Sequence, residues 1–149
     1  MIKMSTLISP ERILFLKEMD KEKALRTLIK ILAATEAVTD EKDLETAIFE
    51  RENILSTGIG LGIAIPHARI ESVNRMVMAI GVSHEGIEYN AFDGRNVSIL
   101  IMIAAPVGTH RQFLSVLARL ALLLKNEHVR EKILGADNVD DIYTILKDH

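Results

Sequence analysis

Residues 51–67 read RENILSTGIGLGIAIPH and form the most unusual stretch of the chain. Glycine stands at every second position from Gly58 to Gly62, and an apolar segment, Pro66 and His67 follow. Glycines allow positive φ angles and let a bound group approach the main chain without meeting a Cβ atom. Such a loop can direct several N–H groups at one anion. The stretch therefore predicts an anion site of the phosphate type beside a histidine.

The histidine that ends this stretch follows a proline. Pro66 fixes its own φ and favours an extended conformation at Ile65, so the chain partly sets the direction of the His67 imidazole. An imidazole with an unperturbed pKa of about 6.5 is largely neutral at pH 7 and has a lone pair for nucleophilic attack. The G-x-G-x-G spacing differs from the dinucleotide fingerprint and from the P-loop. On the residues alone, the alternative is a glycine-rich β-connection with a surface histidine.

Two blocks of the sequence resemble a known family. The run R-E-x4-T-G-I-G-x-G-I-A-I-P-H resembles the signature around the phosphorylated histidine of the enzyme IIA domains of the sugar phosphotransferase system, fructose/mannitol class. That class includes the nitrogen-related regulatory enzyme IIA. Residues 93–97, 99–106 and 117–121 are similar to the same family, in the family's order. The resemblance implies an α/β fold, a three-layer α/β/α sandwich with a mixed β-sheet and the order β-α-α-β-β-β-α-α-α.

The resemblance also implies a function. The chain is expected to be a phosphocarrier that accepts a phosphoryl group on His67 from the phosphorylated carrier protein HPr, or from its nitrogen-branch counterpart. The group would pass to a sugar-specific enzyme IIB, or the phosphorylation state would itself signal to a regulatory target. A chain that carries no IIB or membrane domain favours the nitrogen-related regulatory branch. No metal or cofactor is needed, because phosphoryl transfer depends chiefly on positioning and electrostatics.

Arg51 and the glycine loop are expected to support this transfer. Arg51 falls late in a predicted helix, and its planar fork of donors suits phosphate oxygens. The alternative is a solvated arginine paired with Glu50 or Glu52. The main-chain N–H groups of the loop are expected to stabilise charge on the transferred oxygens. The candidate phosphate-binding residues are Thr57, Gly58, Ile59, Gly60, Leu61 and Gly62.

A second histidine is a further candidate catalytic residue. The resemblance implies that fructose/mannitol relatives often carry a histidine close to the phosphorylated one, at the place where this sequence has Phe113. His110 lies three residues earlier, about one helical turn away, so it can project towards the same pocket by a different route. The alternative is a polar residue in the first turn of a helix.

A function from another class is also compatible with the sequence. The same fold can serve as a non-enzymatic binding module that docks on a kinase, a transporter or a transcription regulator without a phosphocycle. In that case Phe113 marks a lost phosphocycle, and the apolar surface around it makes the contact. Phosphorylation by an HPr-type donor separates the two hypotheses.

The composition limits the classes of protein. A length of 149 residues with 48% hydrophobic residues suits one domain over residues 1–149. A net charge of −3 makes no case for nucleic-acid binding, and the absence of cysteine excludes disulfides and thiolate metal sites. The histidines are scattered singly, so no metal site is predicted. Residues 1–6 lack the apolar run of a signal peptide, and the longest apolar run, 99–105, is too short to span a membrane, so a cytoplasmic protein is expected.

Apolar periodicity predicts the main elements. Helices are expected to begin after Asp20, Asp40 and Thr109, at Glu127, and after Asp137 or Asn138. Near-continuous apolar runs predict strands at 76–82 and 97–104, with a short strand within 12–16. The second helix should turn a small set of side chains inwards. These are Leu44, Ala47, Ile48 and either Ile54 or Leu55.

Overall fold

A mixed β-sheet lies at the centre of the structure, a computed structural model that describes residues 2–149. The strands of these residues are β1 (Ile13–Phe15), β2 (Gly58–Gly60), β3 (Ile63–Ala64), β4 (His67–Arg69), β5 (Val77–Ile87) and β6 (Val97–Ala105). The α-helices of the same residues are α1 (Lys21–Ala33), α2 (Glu41–Ile54), α3 (His110–Lys125), α4 (Glu127–Leu134) and α5 (Val139–Leu146).

The pairing of the strands places the end of the 51–67 stretch at a sheet edge. The sheet runs β1-β5-β6-β3-β2, and β4 pairs with β6 farther along the edge that β3 occupies. Both β3 and β4 are parallel to β6, whereas β5 is antiparallel to it. Between β3 and β4 the carbonyl oxygen of Pro66 accepts a hydrogen bond from the Ile103 N–H at 3.0 Å. This bond continues the edge and sets His67 opposite Ile103 in the register.

The predicted α/β class and mixed sheet are confirmed, but the number of strands differs from the expected order. Residues 2–149 form five strands between α2 and α3, where β-α-α-β-β-β-α-α-α has three. Positive φ angles at Gly60 (92°), Leu61 (60°) and Gly62 (77°) turn the chain between β2 and β3. Pro66 then separates β3 from β4, because proline has no N–H for the ladder. One expected extended segment therefore becomes three short strands.

Helices cover both faces of the sheet, so the architecture has three layers. Strand β6 is apolar at nearly every position because alternate side chains enter different cores. On the side of α1 and α2 the core includes Leu28, Leu44, Ile48, Ala79, Leu100 and Met102. On the side of α3, α4 and α5 it includes Ile80, Ile101, Ile103, Phe113, Leu120 and Ile142.

Local capping explains most of the helix boundaries. The Asp20 and Asp40 carboxylates accept hydrogen bonds from the main chain of the first turns of α1 and α2, which confirms both predicted starts. Asn138 caps α5 in the same way. Thr109 precedes α3 as predicted, but its hydroxyl donates to the Pro106 carbonyl at 2.6 Å and does not cap the helix. No helix within residues 2–149 combines the length and the apolar character needed to cross a bilayer.

Candidate active site

His67 is the first residue of β4 and is half-buried at the edge of the sheet. Its Nδ1 atom lies 2.8 Å from the carbonyl oxygen of Ile65. A carbonyl oxygen only accepts hydrogen bonds, so Nδ1 carries the proton of the neutral ring and Nε2 keeps the free lone pair. Among the hydrogen bonds made within residues 2–149, none involves Nε2. The main chain thus selects the tautomer in which Nε2 is nucleophilic.

The surroundings of His67 favour its neutral form. Desolvation of the half-buried ring is the main reason that the pKa of His67 lies below its usual value. The positive charges of Arg51 and Arg69 lower this pKa further. The hydrogen bond to Ile65 and the negative charge of Glu52 act in the opposite direction without cancelling the shift. The imidazole is therefore unprotonated and available as a nucleophile at neutral pH.

Arg51 lies in the last turn of α2, next to the loop that leads to His67. Its Nη1 atom donates to the Leu55 carbonyl at 2.7 Å, which holds the guanidinium across the end of the helix. No carboxylate within residues 2–149 forms an ion pair with it, so the alternative pairing with Glu50 or Glu52 does not occur. One of five donor N–H groups is used, and the others are available to an anion.

Two cavities adjoin the imidazole. One, of about 540 Å³, is lined by Arg51, His67 and Arg69. The other, of about 490 Å³, is lined by His67, Arg51 and mostly apolar side chains. His67 and Arg51 border both cavities, so a group attached to the ring shares either cavity with the Arg51 side chain.

The glycine loop is held mainly by bonds inside the protein. The N–H groups of Thr57, Gly58 and Leu61 donate to the side chains of Glu52, Ser56 and Asp93, respectively, at 2.9, 3.1 and 3.1 Å. These three amides are therefore already engaged. The expectation that the N–H groups from Thr57 to Gly62 stabilise charge on the transferred oxygens therefore does not hold for Thr57, Gly58 and Leu61.

Only part of the predicted phosphate-binding stretch lies beside His67. Thr57, Gly58 and Ile59 line the cavity of about 490 Å³, called the apolar cavity below. Leu61 and Gly62 line a different cavity of about 210 Å³, next to α4. Gly60 lines neither, and a Cβ atom there would come within 2.8 Å of the Phe92 ring. The positive φ angles at 60–62 explain this division, because they turn the chain away from His67 after Ile59.

A buried carboxylate that the sequence interpretation did not assign to the site holds this loop. Glu52 is 7% exposed, and its oxygens accept from the Thr57 N–H at 2.9 Å, the Thr57 hydroxyl at 2.6 Å and the Lys21 ammonium at 2.9 Å. The Thr57 hydroxyl is also 3.0 Å from the Tyr89 hydroxyl. The Thr57 hydroxyl gives its one proton to Glu52, and burial raises the pKa of Tyr89, so the protonated phenol donates to the Thr57 oxygen. The R-E pair of the motif thus places Arg51 at the cavities and Glu52 inside the protein.

Replacing Glu52 by glutamine is expected to destabilise the fold by about 2–3 kcal/mol. The glutamine amide has one acceptor oxygen for the three donors on Thr57 and Lys21, and its own N–H groups would face one of those donors. Urea unfolding followed by circular dichroism measures the change. Glu22→Gln is the matched control, since Glu22 pairs with Arg26 on the surface, and a loss below about 1 kcal/mol is expected there. Equal losses in the two variants would contradict the role given to the buried network.

His110 and Phe113 take different positions around the site. Phe113 is buried, and its ring centroid lies 4.9 Å from that of His67. His110 is exposed in the first turn of α3, and its Nδ1 atom is hydrogen-bonded to Nη1 of Arg69. Arg69 also lies over the Phe113 ring, 5.4 Å from its centroid. His110 therefore contacts Arg69, which lines the cavity of about 540 Å³, and does not line that cavity itself.

Sequence reasoning missed Arg69, although one signal was available. His67 and Arg69 are two positions apart, and alternate residues of a strand point to the same side. The two residues form the ends of β4, with the buried Ala68 between them. Recognition of a short strand after Pro66 would have placed both side chains on one face.

The rim of the site is apolar. Ile54 and Leu55 are 81% and 69% exposed, so the expectation that one of them turns inwards is wrong. Helix α2 ends at Ile54, and the chain then extends towards β2. The large exposed apolar side chains that line the two cavities are Ile54, Leu55, Ile59, Phe92 and Val107. These five residues form the apolar rim, a surface suited to contact with another protein.

Comparison with known sequences places the chain among phosphotransferase components. Residues 6–149 match the family described as phosphoenolpyruvate-dependent sugar phosphotransferase system, EIIA 2. The chain is 37% identical over 130 residues to a fructose-specific EIIABC component of Bacillus subtilis, covering 87% of the chain and 20% of that relative's length. It is 33% identical over 141 residues to a fructose-specific EIIA component of Haloferax volcanii, covering 93% and 92%. A nitrogen regulatory protein of Bradyrhizobium diazoefficiens is 29% identical over 141 residues, covering 94% and 92%.

Solved structures show the same fold. The nitrogen regulatory protein IIA-Ntr of Neisseria meningitidis superposes with a TM-score of 0.90 at 24% identity, covering 96% of this chain and 98% of that one. Enzyme IIA for mannitol of Escherichia coli, solved in complex with its phosphorylated enzyme IIB, gives a TM-score of 0.79 at 26% identity and coverages of 93% and 96%.

Proposed function

The chain belongs to the EIIA 2 family of the phosphoenolpyruvate-dependent sugar phosphotransferase system, and we propose that its own phosphoryl acceptor is Nε2 of His67. The observation that carries this proposal is the hydrogen bond between His67 Nδ1 and the Ile65 carbonyl oxygen, at 2.8 Å. It keeps the proton on Nδ1 and the lone pair on Nε2, in a ring that borders two cavities.

The reaction is an exchange of one N–P bond for another. The lone pair of His67 Nε2 attacks the phosphorus atom of the donor's phosphohistidine, and the bond between that phosphorus and the donor imidazole breaks. The donor nitrogen recovers its electron pair. The proton of His67 stays on Nδ1, in its hydrogen bond to the Ile65 carbonyl oxygen, so no general base is required for the attack.

Arg51 supplies the positive charge for this step. Its free N–H groups can bond the equatorial oxygens, on which charge is spread in the transition state. Since the N–H groups of Thr57, Gly58 and Leu61 are engaged inside the protein, the main role we give the glycine loop is to shape the apolar cavity. The strongest electrostatic contribution is assigned to the guanidinium.

The partners are proteins. The apolar rim defined above lines the two cavities that His67 borders, and we assign to it the contact with a phosphorylated HPr-type donor whose phosphoryl group His67 receives. The mannitol IIA of Escherichia coli forms a complex with phosphorylated IIB, and we propose that this chain likewise passes its phosphoryl group to an enzyme IIB or presents it to a regulatory target.

The direct test is to incubate the protein with phosphorylated donors, HPr and its nitrogen-branch counterpart, and to measure its intact mass. A phosphocarrier gains the mass of one phosphoryl group, and adding a IIB component removes that group if the acceptor is an enzyme IIB. Unphosphorylated donor serves as the control. No gain in mass with either donor would overturn the proposal and favour the binding module without a phosphocycle.

The pKa of His67 is expected to lie below the value of about 6.5 for a free imidazole, because desolvation and the cations Arg51 and Arg69 outweigh Glu52 and the Ile65 bond. As the pH falls, His67 is therefore protonated in the unfolded chain before it is protonated in the folded protein. The contribution of neutral His67 to the free energy of unfolding is full above about pH 6.5 and is lost as the pH falls towards the folded-state pKa. NMR titration of the His67 ring in the native and the urea-unfolded protein measures both values. A native pKa at or above the unfolded one would contradict this account of the site.

A further inference from the structure

We propose that Arg69 is a second catalytic cation, which contacts the phosphoryl group on His67 together with Arg51; this inference rests on the proposed function. The two ends of β4, His67 and Arg69, pair with Ile103 and Ala105 of β6. The buried Ala68 points to the other side of the strand. Arg51, His67 and Arg69 line the same cavity of about 540 Å³, so a group bonded to the imidazole there shares the cavity with two arginines.

Within residues 2–149, no carboxylate lies within ion-pair distance of Arg69. No ion pair within residues 2–149 involves Arg69 or Arg51, whereas Arg26 pairs with two carboxylates. Glu50 also lines the cavity but is not within ion-pair distance of either guanidinium. Two unpaired arginines beside a half-buried imidazole destabilise an imidazolium and suit an anion of high charge. A phosphoryl group has that charge.

Two residues of α3 hold the Arg69 side chain in place. The guanidinium lies over the buried ring of Phe113, 5.4 Å from the centroid, in a cation–π contact. Its Nη1 atom donates to Nδ1 of His110. Arginine is a donor only, so His110 accepts as the neutral tautomer protonated at Nε2. His110 is thus a positioning residue for Arg69, which gives the candidate second histidine a defined role.

The same Phe113 ring touches both groups. Its centroid is 4.9 Å from the His67 ring and 5.4 Å from the Arg69 guanidinium carbon. A single buried side chain thereby fixes the nucleophile relative to the cation. Arg69 uses one donor on His110, which leaves its other N–H groups for oxygens of the transferred group.

The test compares Arg69→Gln, Arg69→Lys and the control Arg111→Gln. Arg111 follows His110 in α3 but lines a separate cavity. Rapid-quench transfer from a phosphorylated HPr-type donor should be roughly 10- to 100-fold slower in Arg69→Gln, intermediate in Arg69→Lys and unchanged in Arg111→Gln. If the wild type is phosphorylated normally and Arg69→Gln accepts phosphate at the same rate, the role of Arg69 is overturned and the proposed function is not. A wild type that accepts no phosphate would instead overturn the proposed function.

Further measurements distinguish direct contact between Arg69 and the phosphoryl group on His67 from an effect of Arg69 on the structure alone. In Arg69→Gln the pKa of the His67 ring should rise, and a ³¹P titration of the phosphorylated protein should show a higher phosphoryl pKa, because one positive charge is gone. Neither value should move in Arg111→Gln. His110→Ala should slow transfer in the wild-type background but not in Arg69→Gln. An unchanged rate in His110→Ala would make His110 a purely structural residue, and unchanged pKa values in Arg69→Gln would contradict the contact.

Discussion

Replacement of His67 by alanine is expected to abolish phosphorylation of this protein completely. The variant keeps the cavities and both arginines but lacks the Nε2 lone pair, and a phosphoryl group cannot form an N–P bond without it. Intact-mass measurement after incubation with excess phosphorylated donor should show no added phosphate at any time. The side chain is half-buried and bonds only the Ile65 carbonyl within residues 2–149, so the circular dichroism spectrum should be unchanged.

His128→Ala is the matched control for that experiment. His128 is exposed on α4 and lies in neither cavity beside His67, so full phosphorylation is expected. His67→Gln adds a second check, since glutamine keeps a polar group near Ile65 but has no nucleophilic nitrogen. Stoichiometric phosphorylation of either His67 variant would show that another residue accepts the phosphoryl group, and it would contradict the proposed reaction.

Replacement of Arg51 by alanine is expected to slow transfer about 100- to 1,000-fold, equivalent to roughly 3–4 kcal/mol of transition-state stabilisation. The guanidinium borders both cavities beside His67 and has no carboxylate partner within residues 2–149. Rapid-quench kinetics with a phosphorylated donor measure the rate. Phosphorylation should still reach one group per chain, because the nucleophile is intact and only the barrier has risen.

Two comparisons sharpen the Arg51 experiment. Arg51→Lys keeps the charge but loses the planar fork, so a rate between the wild type and the alanine variant is expected. Lys42→Ala removes an exposed cation from the first turn of the same helix, far from the cavities, and should leave the rate unchanged. If Arg51→Ala transfers phosphate at the wild-type rate, Arg51 has no part in the mechanism.

The sequence predicted the elements that depend on local interactions. Asp20 and Asp40 cap their helices because a carboxylate and the N–H groups three residues later are always close in a first turn. The near-continuous apolar run of β6 predicted a strand buried on both faces, and the structure has helices on both sides of it. These features were predictable since neighbours in sequence determine them.

The site was predicted less completely. His67 and Arg51, which the resemblance of the 51–67 motif selected, line the same two cavities. The glycine loop was assigned too simple a role: its spacing predicted freedom of φ, which residues 60–62 show, but not the acceptors of its N–H groups. Those acceptors are Glu52, Ser56 and Asp93, and Asp93 is 32 residues away from Leu61.

By itself, the sequence determined the family, the three-layer α/β class and a histidine held by the chain after Pro66. Only the tertiary structure decided which side chains surround that histidine. Arg69 meets His110 across 41 residues, and Phe113 reaches His67 from α3. Ile54 and Leu55 face outwards although their periodicity suits a core. The physical reason is the same in each case: long-range packing of α3 and the sheet edge sets these contacts, and periodicity along one helix or strand reports only which face is apolar.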